Sequence, residues 1–130
     1  MFLLEQIESS HKKVKSGSDF PKYIKELKEL GVLSYETFVT DGHNLFFGED
    51  NYEVKSQNKY SSLIISENSN AFQFKNDLIA HQNGKTDYLT FCNDCAKSGI
   101  EKWIVNLNDM TCTYFDKNGK QILMENIHSI

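Results

Sequence analysis

Two cysteines spaced by two residues, Cys92-Asn93-Asp94-Cys95, and a third at Cys112 are the most reactive side chains in this sequence of 130 residues. A Cys-x-x-C pair at a helix N-terminus makes a redox couple, because the helix dipole lowers the pKa of the leading thiol. With Cys112 and His81 added, the same pair offers four ligands of the kind zinc takes. Helical spacing, however, puts Cys92 and Cys95 in the middle of a helix, and one pair without a second is a weak metal signal. These thiols are expected to fill core positions as small apolar groups.

The second chemical grouping is Asp41-Gly42-His43, with Glu36 on the strand that leads into it. Two carboxylates and an imidazole around one spot are the ingredients of a divalent-metal or acid–base site. A small metal-dependent or acid–base enzyme using Glu36, Asp41 and His43 is therefore the alternative reading of function. Asp-Gly is also ordinary hairpin-turn chemistry, and Asp109 stands at a matching turn later in the chain, so turn geometry is the preferred reading. His11 and His81 fall near helix ends, where a histidine can interact with the dipole. His128 lies in the terminal tail. No Gly-x-Ser-x-Gly, phosphate-cradling loop or dinucleotide fingerprint occurs. Arginine is absent and all 14 basic residues are lysines, which removes the bidentate fork used to grip phosphate and carboxylate.

The elements that must position these groups come in two similar sets. Laying residues 19–54 over 87–122, an offset of 68, brings Asp19 onto Asp87, Tyr23 onto Phe91, Leu27 onto Cys95 and Gly31 onto Gly99. Further along, Tyr35 meets Trp103, Val39 meets Leu107, Phe46 meets Tyr114 and Val54 meets Ile122. Repeats keep core positions rather than surface ones, so the pattern reads as a duplication. Each copy starts at an aspartate placed to cap a helix, with Gly17 or Gly84 shortly before it. Apolar residues then recur at helical spacing until Gly31 or Gly99, which can adopt the left-handed conformation that ends a helix. The period next changes to two: Tyr35, Thr37 and Val39 alternate in one copy, Trp103, Val105 and Leu107 in the other. Turns at Asp41-Gly42 and Asn108-Asp109 lead to strands near 44–47 and 111–115, and third strands follow near 52–55 and 120–124. A further helix precedes each set, Phe2 to Val14 and Ala71 to Gln82, and Ser62 to Ser66 reads as a short buried strand between the copies. Pro21 falls in a first helical turn, where its missing N–H does no harm.

Composition narrows the function classes. A hydrophobic fraction of 39% and a charged fraction of 25% are those of an ordinary globular chain. The net charge is −4, and the lysines of the first thirty residues alternate with glutamates as on a solvated helix face, so nucleic acid is not an expected partner. No apolar run approaches the ~20 residues of a membrane span. The chain is expected to be cytoplasmic, with free thiols.

Several stretches carry a family resemblance. Glu5-Gln6-Ile7, Val14-Lys15-Ser16-Gly17-Ser18-Asp19-Phe20-Pro21 and Gly31-Val32-Leu33-Ser34-Tyr35-Glu36-Thr37-Phe38-Val39 are the first, continuing through Asp41-Gly42-His43 and Phe47-Gly48. Later come His81-Gln82-Asn83-Gly84-Lys85-Thr86-Asp87-Tyr88, Glu101-Lys102-Trp103 and Met110-Thr111-Cys112-Thr113-Tyr114. Together they resemble the uncharacterised bacterial and prophage family often labelled "phage envelope protein", over nearly the whole chain. The resemblance implies a bacterial or prophage-encoded protein and carries no catalytic or binding residues across. The acidic composition lends no support to a coat role.

The resulting expectation is a single α+β domain over residues 1–130. Its two tandem ααβββ repeats, about 1–61 and about 67–130, form an antiparallel sheet packed by helices around a pseudo-twofold axis. The expected function is a non-enzymatic small-ligand or protein-interaction module with a groove where the copies meet. Tyr35, Glu36, Phe38, His43 and Trp103 are the candidate ligand-binding residues, with no cofactor and no metal. Aromatics at sheet spacing are more often core, which is the competing reading for the rings among them. Self-association through an exposed sheet edge is a further possibility.

Overall fold

The computed structural model describes residues 1–14 and 19–127. Gly17 and His128, each given a role above, lie outside the described residues. Helix α1 spans Leu4–His11, shorter at both ends than its apolar pattern. Helix α2 spans Phe20–Leu30 and buries Tyr23, Ile24 and Leu27. Ile24 and Leu27 are completely buried, and each such side chain contributes about 1.5–3 kcal/mol of apolar transfer free energy. Gly31 ends α2 at φ 102, a left-handed conformation costly for any residue with a Cβ. Asp19 already has helical dihedrals, φ −87 and ψ −13. The other capping aspartate behaves as expected: Asp87 is extended and accepts from the Thr90 N–H at 2.8 Å.

Strands β1 (Ser34–Phe38), β2 (Asn44–Phe47) and β3 (Glu53–Lys55) follow, with a short 3-10 turn at Glu49–Asn51 before β3. Helices α3 (Ala71–Gln82) and α4 (Tyr88–Lys97) precede β4 (Ile100–Asn106), β5 (Thr111–Asp116) and β6 (Gln121–Asn126). The sheet order is β3-β2-β1-β4-β5-β6, and every neighbouring pair is antiparallel. Among the described residues this gives an α+β domain of four helices and one six-stranded sheet. The centre of the sheet is the β1–β4 pair, with Tyr35 opposite Val105, Glu36 opposite Ile104, Thr37 opposite Trp103 and Phe38 opposite Lys102.

Alternation along the strands separates two faces. Tyr35, Phe46, Trp103, Val105, Cys112 and Tyr114 point to one side and are buried. They meet Ile24, Leu27, Phe74, Leu78 and Phe91 of the helices in one continuous core. The other face, carrying Glu36, Phe38, Leu45, Phe47, Lys102, Ile104 and Phe115, keeps partial exposure throughout.

The segment Ser62 to Ser66 is not a strand. Its apolar run does not bury as a unit: Ile65 is 7% exposed, but Ile64 is 93% exposed. Its amides find loop and helix-end carbonyls instead of a strand partner. Leu63 N–H donates to Thr40 at 2.6 Å and Ser66 N–H to Ala96 at 2.9 Å. Three consecutive apolar residues are ambiguous by periodicity alone, and here two of them anchor an extended connector.

Candidate functional site

The Asp41-Gly42-His43 turn closes the β1–β2 hairpin. Gly42 stands at φ 77, and a Cβ there would lie 2.7 Å from the Tyr60 ring and 2.9 Å from Lys59 Cβ. Only glycine lets the connector pack this closely. Asp41 accepts twice through one oxygen, from the His43 backbone N–H at 3.0 Å and beside His43 Nδ1 at 2.6 Å. Burial raises the Asp41 pKa, but the backbone and ring of His43 outweigh it and hold the carboxyl below its usual range.

The imidazole then stacks on Phe38, with ring centres 4.5 Å apart and planes at 7°. The Lys102 ammonium sits 5.6 Å from the centre of the same phenyl ring, within cation–π range. It also pairs with Glu36 Oε1 at 3.1 Å. Glu36, Lys102, Phe38, His43 and Asp41 thus form one connected cluster on the uncovered face of the sheet. Their position follows from the strand period, since Glu36 and Phe38 alternate with the buried Tyr35 and Thr37.

Three of the five candidate ligand-binding residues, Glu36, Phe38 and His43, are therefore brought together. Tyr35 and Trp103 are not, because both point through the sheet into the core. Tyr35 packs on Phe46 at 5.4 Å, and Trp103 contacts Phe91 and Tyr114, each at 5.8 Å. Glu36 is turned to Lys102, and among the described residues no three His, Cys, Asp or Glu side chains converge as a metal site. Lys102 was missed by sequence reasoning. Its only signal was its outward phase in β4, and its place opposite Phe38 depends on a pairing that hydropathy does not reveal.

Cys92 and Cys95 take the core positions expected of them, and Cys112 is buried as well. Cys92, Cys95 and Cys112 are free and buried. Burial pushes all three thiols up, Cys112 to about 12, and at Cys92 it outweighs the opposing hydroxyls of Tyr60 and Tyr88. A neutral buried thiol is a poor nucleophile and a poor metal ligand. The two helix-end histidines are held by rings. His81 stacks on Phe91 with centres 4.4 Å apart, and its Nδ1 lies 3.0 Å from the Thr86 carbonyl oxygen. His11 packs edge-on to Tyr23, and loss of water around its ring, then Lys59, lowers its pKa. That shift opposes the cationic, dipole-stabilised state.

Two hollows lie away from the cluster. One, of about 170 Å³, is lined by Lys28, Gly31, Val32, Leu33, Glu49, Leu107 and Asn108. The second, of about 300 Å³, shares Gly31 and Glu49 with it and continues past Leu30, Gly48, Asp50 and Tyr52 to Phe2.

A helix-backed antiparallel sheet, with Asp41 beside His43 and Glu36 paired to Lys102 on its partly exposed face, defines an α+β domain. The chain belongs to the family of proteins of unknown function DUF1398, whose model matches residues 8–126. It is also similar to the uncharacterized protein YcgX of Escherichia coli (strain K12), at 18% identity over 116 residues, covering 89% of this chain and 87% of that protein. No helix among the described residues is long and apolar enough to cross a membrane.

Proposed function

We propose that the protein is a non-enzymatic interaction module, made of two copies of one ααβββ unit, that recognises a protein partner with the uncovered face of its sheet around Phe38. One observation carries the interaction reading. On this face Phe38 lies beside an imidazole and an ammonium, and the same face carries partly exposed Leu45, Phe47, Ile104 and Phe115. Rings and aliphatic groups beside fixed charges are the composition of a recognition surface. Glu36, Phe38 and His43 are the contact residues, joined by Lys102, while Tyr35 and Trp103 support them from beneath.

Several pairs of bonds support the duplication. Leu107 N–H donates to Leu33 at 3.0 Å, and Val39 N–H donates to Glu101 at 2.9 Å, the same bond shifted by 68 positions with donor and acceptor halves exchanged. Gly48 to Tyr52 at 2.8 Å matches Asp116 to Lys120 at 3.0 Å, and Gly31 to Lys28 at 3.1 Å matches Gly99 to Ala96 at 3.2 Å. In the central register the shift exchanges the pairs Tyr35–Val105 and Thr37–Trp103 and returns Glu36–Ile104 to itself, as a twofold axis through that pair requires. On this reading the repeats are about 1–61 and about 67–130. The Phe38 cluster has no counterpart, since the shifted positions of Glu36, Phe38 and His43 are Ile104, Asn106 and Thr111. The similarity to an E. coli protein supports the bacterial origin that the family resemblance implies, and a cytoplasmic setting is part of the proposal.

The test is site-specific photo-crosslinking in bacterial cells, with a photoreactive phenylalanine at Phe115 and, as control, at Leu89 on the helical layer. A discrete adduct from Phe115, absent from Leu89 and lost on Lys102→Glu, is the expected result. Adducts of equal yield at both positions, or none at Phe115, would refute the reading. The acid–base alternative keeps one favourable observation, the Asp41 carboxylate orienting His43 Nδ1 at 2.6 Å. Its metal-dependent form predicts a rise in melting temperature with a divalent ion that disappears in His43→Ala, and no such rise would sink that form.

A further inference from the structure

The smaller hollow has a filled counterpart in the other half of the molecule. Shifted by 68 positions, its lining residues Lys28, Gly31, Leu33, Glu49 and Asn108 become Ala96, Gly99, Glu101, Lys117 and Thr40. That second location is occupied by the connector. Leu63 N–H donates to the Thr40 carbonyl at 2.6 Å, Ser66 N–H to Ala96 at 2.9 Å, and Asn70 N–H to Ser98 at 2.9 Å. The Thr40 hydroxyl returns a bond to the Leu63 carbonyl at 3.1 Å, and Lys117 Nζ pairs with Glu67 at 2.6 Å. The two glycines record the difference. A Cβ on Gly99 would lie 2.8 Å from Asn68 O and from Ser69 Cα, whereas a Cβ on Gly31 would meet nothing within 4 Å.

We infer that the hollow at Gly31 is a docking groove for an extended peptide segment of a protein partner, bound in the pose that residues 63–68 adopt at Gly99. The inference rests on the two-copy reading above and adds a second, separate site. The partner's backbone N–H groups meet the carbonyls of Asn108 and Lys28, the counterparts of Thr40 and Ala96, while at Leu30 the place of Asn70 is taken by Phe2 of this chain. One apolar side chain enters the hollow of about 170 Å³, a size comparable to the ~150 Å³ cavities that accept a single benzene ring. The larger hollow continues the groove past Leu30, the counterpart of Ser98.

Charge decides which peptide fits. Where the filled site presents Lys117 to Glu67, the open one presents Glu49. Glu49 is exposed and has no ion-pair partner among the described residues. The complementary segment therefore carries a lysine at the position of Glu67, two residues after the apolar residue that corresponds to Ile65. Backbone pairing supplies affinity, and the pocket and the lysine supply selectivity, as in other extended-peptide recognition.

The experiment titrates full-length, isotopically labelled protein with two synthetic peptides, residues 60–70 of this chain and the same peptide with Glu67→Lys, followed by amide chemical shifts. The lysine peptide is expected to shift the amides of Gly31, Val32, Leu33, Leu107 and Asn108. It should bind about two- to five-fold more tightly than the glutamate peptide, the scale of one exposed ion pair. Glu49→Lys, an exposed substitution that leaves the fold intact, should reverse that preference. Absence of shifts at those amides, or a preference indifferent to Glu49→Lys, overturns the inference. The same sample reads the two-copy geometry through amide contacts between residues 33 and 107 and between 39 and 101. Those contacts present without peptide binding remove the groove alone, and their absence removes the duplication and the groove together.

Discussion

Replacing Gly99 and Gly31 separately with alanine should have unequal effects, and the inequality measures how firmly the connector is seated. Both glycines have positive φ, 79 and 102, so either alanine costs about 1–2 kcal/mol for placing a Cβ in the left-handed region. At Gly31 nothing else stands in the way. At Gly99 the new methyl would lie 2.8 Å from backbone atoms of Asn68 and Ser69, and 3.0 Å from Ser69 N. Backbone cannot rotate aside as a side chain can, so the connector must lift. Lifting threatens the Ser66–Ala96 and Asn70–Ser98 hydrogen bonds, each worth about 0.5–1.5 kcal/mol net. Gly99→Ala is therefore expected to cost about 2–5 kcal/mol and Gly31→Ala about 1–2 kcal/mol. Urea unfolding followed by the single tryptophan gives both values from midpoints at constant m. Equal costs would refute the seating of the connector against Gly99.

Trp103→Ala should cost about 3–5 kcal/mol as a core truncation. Phe38→Ala should cost about 1–2 kcal/mol, less than a fully buried ring because Phe38 is partly exposed, and act mainly on partner binding; denaturant midpoints compared with crosslinking yield check both. The buried thiols predict a pH dependence. Their native pKa values lie above the unfolded values, so stability is full below about pH 8.5 and falls as the unfolded chain ionises first, by up to about 1.4 kcal/mol per pH unit for each thiol. For Cys112 the fall continues toward about pH 12. Cys112→Val should remove its share of the slope between pH 9 and 10, read from urea midpoints. Asp41→Asn should destabilise by about 1–3 kcal/mol at neutral pH, because a charge-assisted bond is lost. With its native pKa depressed, wild-type Asp41 loses this advantage as pH falls below about 4, so the two midpoints should converge in acid.

Much of this architecture was legible because helix and strand periods change cleanly at Gly31 and Gly99. The α3 limits and the hairpin turns follow from spacing, and the core positions of Cys92 and Cys95 from their match to Ile24 and Leu27. What did not follow was determined by tertiary packing. The run Leu63-Ile64-Ile65 looks like a strand, but no sheet edge is offered to it, and it buries only two of its three side chains. Within the candidate site, alternation already separates Glu36 and Phe38 from Tyr35. The cation that completes the cluster, Lys102, comes from a strand 64 positions beyond Phe38 in sequence, and pairing at that distance leaves no local trace.

The register at the centre of the sheet also bears on synthesis. Strand β1 emerges from the ribosome well before its partner β4, and meanwhile its hydrogen-bonding edge has nothing to pair with. On the two-copy reading, two nascent chains aligned with one β1 in the place of β4 would set Glu36 against its own copy, and directly opposed like charges disfavour such a pairing. The completed molecule places Ile104 there instead. A carboxylate that pairs with Lys102 in the finished sheet would thus oppose self-pairing of the unfinished one.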